Sequence, residues 1–140
     1  MPDDEGTDDT AGPTLDDPVS VGGVTLSNRL YRAPLLECAG TGPDAVDTLV
    51  AELEPTAASG VGLMFQGATI VTGEGGCAAP NMTRFHDPAF VARCERLTGA
   101  VHDHGGRIFV QLAHGGLRSQ EVWHAGARER HPDHTEPAAS

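Results

Sequence analysis

Two polar side chains, Gln111 and His114, directly follow an apolar run at residues 108–110. Glycine pairs at 105–106 and 115–116 bound this stretch, which has the length and composition of a buried strand. A buried amide or imidazole that lacks a hydrogen-bond partner is costly. At the C-terminal end of a parallel strand, however, such groups face the crevice in which ligands bind. The stretch therefore predicts a binding site at the tip of a strand.

Two earlier segments show the same change from apolar to small or polar residues. Residues 30–36 are predicted as a strand with Pro34 at its end, where a missing N–H is tolerated. Residues 61–65 are predicted as a short buried strand that gives way to the small and polar residues 66–69. Because the carboxyl ends of parallel strands meet at one edge of a sheet, we expect all three tips to lie together.

Helices are predicted between these strands. Residues 45–59 carry apolar side chains at helical spacing, with Asp44 placed to cap the helix and Pro55 placed to kink or end it near Glu54. A second helix is predicted to begin at Asp87-Pro88, with proline in its first turn, and to end at the glycine pair 105–106.

The predicted architecture is an α/β fold in which a β-hairpin over residues 17–28 precedes a β-α-β-α-β array. We expect residues 1–14 to be a disordered acidic tail, residues 15–118 to be the folded part, and residues 119–140 to be an irregular tail. The chain has 140 residues, whereas a whole (β/α)₈ barrel needs about 250. An array that stops after three strands leaves edges unpaired, so association with itself or with a partner chain is one functional alternative.

The charge balance excludes some classes of partner. The chain has 20 acidic and 9 basic residues, all of the latter arginine, and a formal net charge of −11. This balance disfavours nucleic acid and anionic membrane surfaces as partners. The acid excess without lysine resembles soluble proteins of halophilic archaea, in which molar salt screens self-repulsion. An acidic protein from a GC-rich genome is the alternative.

The three cysteines, Cys38, Cys77 and Cys94, have no zinc-ribbon spacing and are odd in number, which favours a reducing compartment. The N-terminal residues show no apolar signal-peptide core, and no apolar run reaches the 18 residues of a membrane span. We therefore expect a cytoplasmic protein.

No metal site is predicted, because the spacing of the histidines matches no zinc motif. These histidines include His102, His104, His124, His131 and His134.

Three motifs in order carry a family resemblance: Asn28-Arg-Leu-x-x-Ala-Pro34, Gly60-Val-Gly-Leu63 and Ala100-Val-His-x-x-Gly-Gly-Arg-Ile-x-x-Gln-Leu-Ala-His114. Together they resemble the N-terminal part of the old yellow enzyme family over about residues 15–120. Members of that family are FMN-dependent NADH:flavin oxidoreductases and ene-reductases built on a TIM barrel. The resemblance implies that the hairpin closes the bottom of the barrel and that FMN lies across the opposite, C-terminal face.

The resemblance also implies roles for individual residues. Ala33, Pro34 and Leu35 would border the flavin, and Ala68 would sit against the isoalloxazine ring. Gln111 would hydrogen-bond the pyrimidine edge of the flavin, since an amide offers a donor and an acceptor together. A further residue, His114, would have a supporting role; a structural histidine bonded to a neighbouring loop is the alternative. The implied co-substrate is NAD(P)H, and the implied substrate is a small enone or enoyl compound.

The sequence departs from the family pattern at two places. Leu36 stands where many members have Thr or Cys, although Cys38 follows two residues later and offers a redox-active thiol or a merely buried one as alternatives. The usual His-x-Gly-Arg reads His114-Gly-Gly-Leu117, with Arg118 displaced by one residue.

No catalytic residue is assigned, because the family's substrate-binding pair, proton donor and phosphate-binding loops belong to later strands. The chain resembles the first third of such an enzyme, as a truncated gene would encode, and alone should be a poor catalyst. The alternative function is a non-catalytic remnant that acts as an association module.

Overall fold

The computed structural model describes residues 12–73 and 76–119. Most of the predicted tails, 1–14 and 119–140, lies outside these residues. The elements in chain order are β1 (Val19–Val21), β2 (Val24–Leu26), β3 (Tyr31–Arg32), α1 (Ala45–Ala58), β4 (Leu63–Ile70), α2 (Pro88–Asp103), β5 (Arg107–Ala113) and a 3₁₀ turn (Gly116–Arg118). The predicted order of a hairpin followed by β-α-β-α-β is confirmed.

The hairpin of β1 and β2 turns at Gly22-Gly23, as its sequence predicts. Val19 lies opposite Leu26, and the two glycines have φ angles of 55° and 84°. Positive φ at both central residues is the geometry of the tight turn that matches the twist of two antiparallel strands. Leu26 is buried and anchors the hairpin.

The three remaining strands form one parallel sheet in the order β3-β4-β5. Tyr31 pairs with Leu63, and Leu63 pairs with Arg107, so the strands start at a common level. At this N-terminal end the side chain of Asn28 accepts a hydrogen bond from the N–H of Gly62 (3.0 Å) and donates one to the carbonyl oxygen of Gly60 (2.7 Å). Asn28 thus ties the entry to β3 to the entry to β4. The carboxyl ends of all three strands meet at the opposite edge, as predicted.

The predicted ends of two strands are wrong. The chain leaves the sheet after Arg32 rather than continuing to residue 36, and Pro34 lies in the departing segment, where its missing N–H costs no strand pairing. β4 instead continues through residues 66–69 to Ile70. Its register against β5 shifts between Gln66 and Thr69, which marks a bulge with one extra residue in β4.

A loop segment holds the extended end of β4 in place. The N–H of Ile70 donates to the carbonyl oxygen of Thr83 (2.9 Å), and the N–H of Phe85 donates to the carbonyl oxygen of Ile70 (2.8 Å). These bonds satisfy the backbone of β4 beyond the bulge, which is why the strand does not stop where its apolar run stops.

The two helices pack side by side on one face of the sheet and form the core with it. The buried apolar side chains are Ala45, Val46, Leu49, Leu53 and Ala57 of α1, Met64 of β4, and Phe90, Leu97 and Val101 of α2. α2 begins as predicted, because Asp87 accepts a hydrogen bond from the N–H of Ala89 at 2.9 Å and Pro88 is its first residue. The helical spacing of apolar residues predicts most of this core, but Val91, which the same spacing places on the buried face of α2, is exposed.

Two details of α1 differ from the prediction. Asp44 occupies the N-cap position, but its side chain makes no capping hydrogen bond; its carbonyl oxygen accepts from the N–H and the hydroxyl of Thr48 instead. The helix also does not end near Glu54, since it continues past Pro55 to Ala58. Pro55 removes only the hydrogen bond to the carbonyl of Ala51, an exposed residue whose oxygen water can reach.

The other face of the sheet carries a row of aromatic rings. The ring of Phe65 lies edge-on to Tyr31, with centroids 6.2 Å apart, and edge-on to Phe109, with centroids 5.7 Å apart. Tyr31 is 64% exposed and Phe109 is 40% exposed. In the part of the chain that the structure describes, no helix has the length and hydropathy to cross a membrane.

Candidate functional site

Three segments meet at the carboxyl edge of the sheet: residues 33–37 after β3, residues 66–69 in β4, and Gln111 on β5. The first two are in direct contact. A Cβ atom at Gly67 would lie 1.1 Å from the carbonyl oxygen of Leu35, so only glycine allows the backbone of this loop to cross the bulge. Sequence reasoning gave Gly67 no role of its own, because a glycine in a polar stretch carries no sign of a close approach.

The carboxylate of Glu37 joins these segments and is 1% exposed. Its Oε1 accepts from Nη1 of Arg32 (2.9 Å), and its Oε2 accepts from the N–H of Gly67 (2.7 Å). Arg32 is itself largely buried and also donates to the carbonyl oxygen of Phe65 (3.2 Å). A buried carboxylate is tolerated only with such partners. Sequence reasoning missed this pair as well, since an Arg and a Glu five residues apart have no distinctive pattern.

A ring of three buried side chains supports the bulge from the other side. The hydroxyl of Thr69 donates to Oε1 of Gln66 (2.6 Å) and lies 2.8 Å from the hydroxyl oxygen of Thr83, while the Nε2 of Gln66 is 3.5 Å from that same oxygen. All three side chains are nearly inaccessible to solvent. The side chains of Gln66 and Thr69 therefore form their hydrogen bonds inside the protein, and they do not contribute to the surface of the edge.

Gln111 is on the open face of the sheet. It follows Phe109 by two residues, which places both on the side opposite to Ile108, a residue that packs against the helices. Gln111 is exposed, and within residues 12–73 and 76–119 its amide makes no hydrogen bond. The amide is thus available to a ligand at this edge.

The structure brings most of the predicted site residues to this edge. Ala33 and Leu35 are exposed, and Pro34 is half-buried between them. Ala68 is half-buried in the bulge, and by register the bulge faces the stretch of β5 that contains Gln111. The sequence predicted that Ala68 lies beyond the end of the strand, but it lies inside β4. The roles of these residues toward FMN stay predictions.

His114 lies just beyond β5 and is exposed. Its Nδ1 accepts a hydrogen bond from the N–H of Gly116 at 3.1 Å, which holds the turn that follows the strand. In the neutral imidazole the proton is then on Nε2. This is the contact of a structural histidine bonded to its own loop, and the supporting role of His114 toward FMN stays a prediction.

Cys38 is half-buried, and its backbone has a φ of 50°, in the left-handed region. Burial, followed by the neighbouring Cys77 and Glu37, raises the pKa of the Cys38 thiol. The thiol is consequently protonated at neutral pH, which favours the interpretation of Cys38 as a buried thiol over that of a reactive thiolate. Among the residues that the structure describes, no three His, Cys, Asp or Glu side chains form a group that could hold a metal ion.

The hairpin, the parallel β/α units and the ligand-accessible carboxyl edge define the class of the protein: this is the first part of a TIM barrel. The model of the NADH:flavin oxidoreductase / NADH oxidase family matches residues 14–136. The chain therefore belongs to that family, and the resemblance to old yellow enzymes is confirmed.

Individual relatives agree with this assignment. The chain is 32% identical over 98 residues to an NADPH dehydrogenase of Listeria monocytogenes, covering 69% of this chain and 29% of the relative. It is 32% identical to a probable flavin mononucleotide-dependent alkene reductase of Leishmania infantum, covering 71% and 27% of the two chains.

Solved structures show the same fold. The old yellow enzyme from Trypanosoma cruzi superposes with a TM-score of 0.66 at 28% identity, over 75% of this chain and 28% of that one. The old yellow enzyme homologue from Zymomonas mobilis superposes with a TM-score of 0.60 at 36% identity, over 73% and 28%. The chain thus spans less than a third of the length of these relatives.

Proposed function

We propose that the chain supplies the first part of the FMN-binding surface of an ene-reductase-type oxidoreductase. This flavin floor consists of residues 33–35, Ala68 and Gln111. FMN, when bound, supplies a two-electron relay from NAD(P)H to the activated double bond of an enone or enoyl substrate. The observation that carries the proposal is the exposed Gln111 amide, which has no hydrogen-bond partner among the described residues and lies at the edge where the flanking loop and bulge meet. Membership of the family supports it.

The residues at the edge fit a flavin in chemistry and shape. A flavin ring has an apolar body and a polar imide, and the imide needs a donor and an acceptor side by side, which one amide provides. Ala33 and Leu35 offer exposed apolar surface beside it. Ala68 adds only a methyl group beside it, so that a flat ring can approach the backbone at this point of the edge.

In the proposed role the residues at this edge bind and orient FMN, and none of them is assigned a proton-transfer step. Glu37 is buried and has both oxygens engaged, and Nδ1 of His114 is engaged in its own turn. The proposed role is therefore confined to holding FMN from below. We propose that turnover needs residues from the rest of a barrel, and that the 140-residue chain alone is a poor catalyst.

An FMN titration of the purified chain tests this proposal. Flavin fluorescence and visible absorbance are followed in molar KCl, because the net charge of −11 is then screened. We expect saturable binding that Gln111→Ala weakens about tenfold, since one hydrogen bond contributes about 1 kcal/mol or slightly more. Stability should not change, because the side chain is exposed.

The matched control is Glu95→Ala, an exposed substitution on α2 away from the edge, which should leave FMN affinity unchanged. Saturable binding that is equal in wild type and Gln111→Ala would contradict the proposed site.

The second candidate function, a non-catalytic association module, is favoured by the aromatic row on the open face. Tyr31 and Phe109 are large, exposed and contiguous through Phe65, as interface residues are. Concentration-dependent association in sedimentation velocity that Phe109→Ser abolishes would support this function. The control is Leu117→Ser, which alters a 90% exposed residue outside the sheet. A chain that stays monomeric at all concentrations argues against it.

A further inference from the structure

Glu37 and Arg32 stand at the two ends of the segment that would border the flavin. Arg32 is the last residue of β3, and its guanidinium reaches the Phe65 carbonyl of β4. Glu37 comes five residues after Arg32, and its carboxylate accepts a hydrogen bond from the N–H of Gly67. The salt bridge between them, at 2.9 Å, closes residues 33–36 into a short loop with both ends fixed to β4.

We propose that Arg32 and Glu37 are positioning residues for the cofactor: their ion pair, with the N–H of Gly67, sets the height of residues 33–36 above β4. The proposal rests on the proposed function, because it takes the 33–36 loop to be the flavin border. It concerns residues that touch β4 and one another, and neither is assigned a contact with FMN.

This ion pair differs from one at the surface because it is buried. The side chains of Glu37 and Arg32 are 1% and 13% exposed, so water competes little for their hydrogen bonds. By contrast, Arg96 and Asp47 form an ion pair on the outer helices with 66% and 53% exposure. The two pairs provide a comparison between a bridge at the edge and one far from it.

The N–H of Gly67 needs a hydrogen-bond acceptor, and the carboxylate of Glu37 provides it. The bulge leaves Gly67 without a partner in β5, and its N–H points to Oε2 of Glu37. The loop backbone at Leu35 passes so close that no side chain fits at Gly67. An acceptor that enters from residue 37 satisfies the N–H and holds the crossing backbone at contact distance at the same time.

The test measures backbone amide hydrogen exchange in the FMN-free chain and FMN affinity in parallel. In Glu37→Gln the Gly67 amide should exchange at least about tenfold faster, as a charge-assisted hydrogen bond is replaced by a weaker one. The Met64 amide, in the same strand but in the core, should keep its protection and so report that the fold is intact. FMN affinity should fall about tenfold although no flavin contact has been removed.

Two further variants make the result specific. Arg32→Lys keeps the charge but not the forked geometry, and we expect an intermediate change in both readouts. Asp47→Asn breaks the exposed bridge to Arg96 and should change neither. If Glu37→Gln does not fold, Arg32→Lys carries the same test.

The outcomes separate the two proposals. If wild type binds FMN but neither Glu37→Gln nor Arg32→Lys alters Gly67 exchange or FMN affinity, the positioning role is wrong and the proposed function stands. If Gly67 exchange rises but FMN affinity is unchanged, the ion pair is only a structural contact and the inference is overturned. If wild type does not bind FMN, the proposed function fails, and the positioning role fails with it whatever the exchange shows.

Discussion

Gly67→Ala is expected to lower both the free energy of unfolding and the affinity for FMN. The added Cβ would lie 1.1 Å from the carbonyl oxygen of Leu35 and 2.6 Å from Oε2 of Glu37. The nearest atom is backbone, so the 33–37 segment must move away from β4. Overpacking of this kind costs about 1–3 kcal/mol. Because the same segment is the proposed flavin border, FMN affinity should fall with stability, by about tenfold or more.

Urea denaturation and FMN titration measure the two effects of Gly67→Ala. The matched control is Gly99→Ala in α2, where the new methyl group meets nothing within 4 Å beyond the neighbouring backbone of its own helix. This control should be stabilised by about 0.5–1 kcal/mol, since alanine is the better helix former, and should bind FMN like wild type. An unchanged urea midpoint for Gly67→Ala would mean that the loop does not cross the bulge as described.

Thr69→Val is the second substitution with a large expected effect. The change preserves shape but removes the hydroxyl that donates to Gln66 and contacts Thr83, at a site with 0% exposure. Each buried polar group that loses its partner costs about 1–3 kcal/mol. Here Oε1 of Gln66 and the hydroxyl of Thr83 each lose the Thr69 hydroxyl as a partner. We therefore expect a loss of about 2 kcal/mol or more, measured by urea denaturation.

The control for Thr69→Val is Thr25→Val on the exposed face of β2, which should change stability by less than about 0.5 kcal/mol. If Thr69→Val were as stable as wild type, the ring of three side chains would not be what holds the bulge. Thr83→Val should then also leave the free energy of unfolding unchanged.

The sequence predicted the helices and their buried faces because helical periodicity is local. Leu49, Leu53, Leu97 and Val101 repeat at the spacing that one helix face requires, and all four are buried. The Gly22-Gly23 turn and the Asp87-Pro88 helix start were predictable for the same reason, since each depends on the conformations that two adjacent residues prefer.

The ends of the strands depend on partners distant in sequence, and there prediction failed. Residues 66–69 look like a loop, yet they stay in β4 because the strand pairs with Leu112 and Ala113 of β5 beyond the bulge, and Thr83 contacts the Thr69 hydroxyl from 14 residues away. Residues 33–36 look like strand, yet the chain turns out of the sheet to place Glu37 against Gly67. Neither partner could be identified from local composition.

The candidate site was only partly visible for the same reason. Gln111 stood out because an amide after an apolar run is unusual, and it is exposed at the edge as expected. Glu37, Arg32 and Gly67, which shape the edge, carry no local signal and required the fold to be recognised.

Amide chemical shifts of the ¹⁵N-labelled chain, recorded during an FMN titration in molar KCl, identify the residues that FMN contacts. We expect saturable shifts at residues 33–36, at Gly67 and Ala68, and at the side-chain amide of Gln111, with the outer surfaces of α1 and α2 unchanged. Saturable shifts confined to those helix surfaces, or no shifts at all with FMN in excess, would contradict the claim that this edge is a flavin floor.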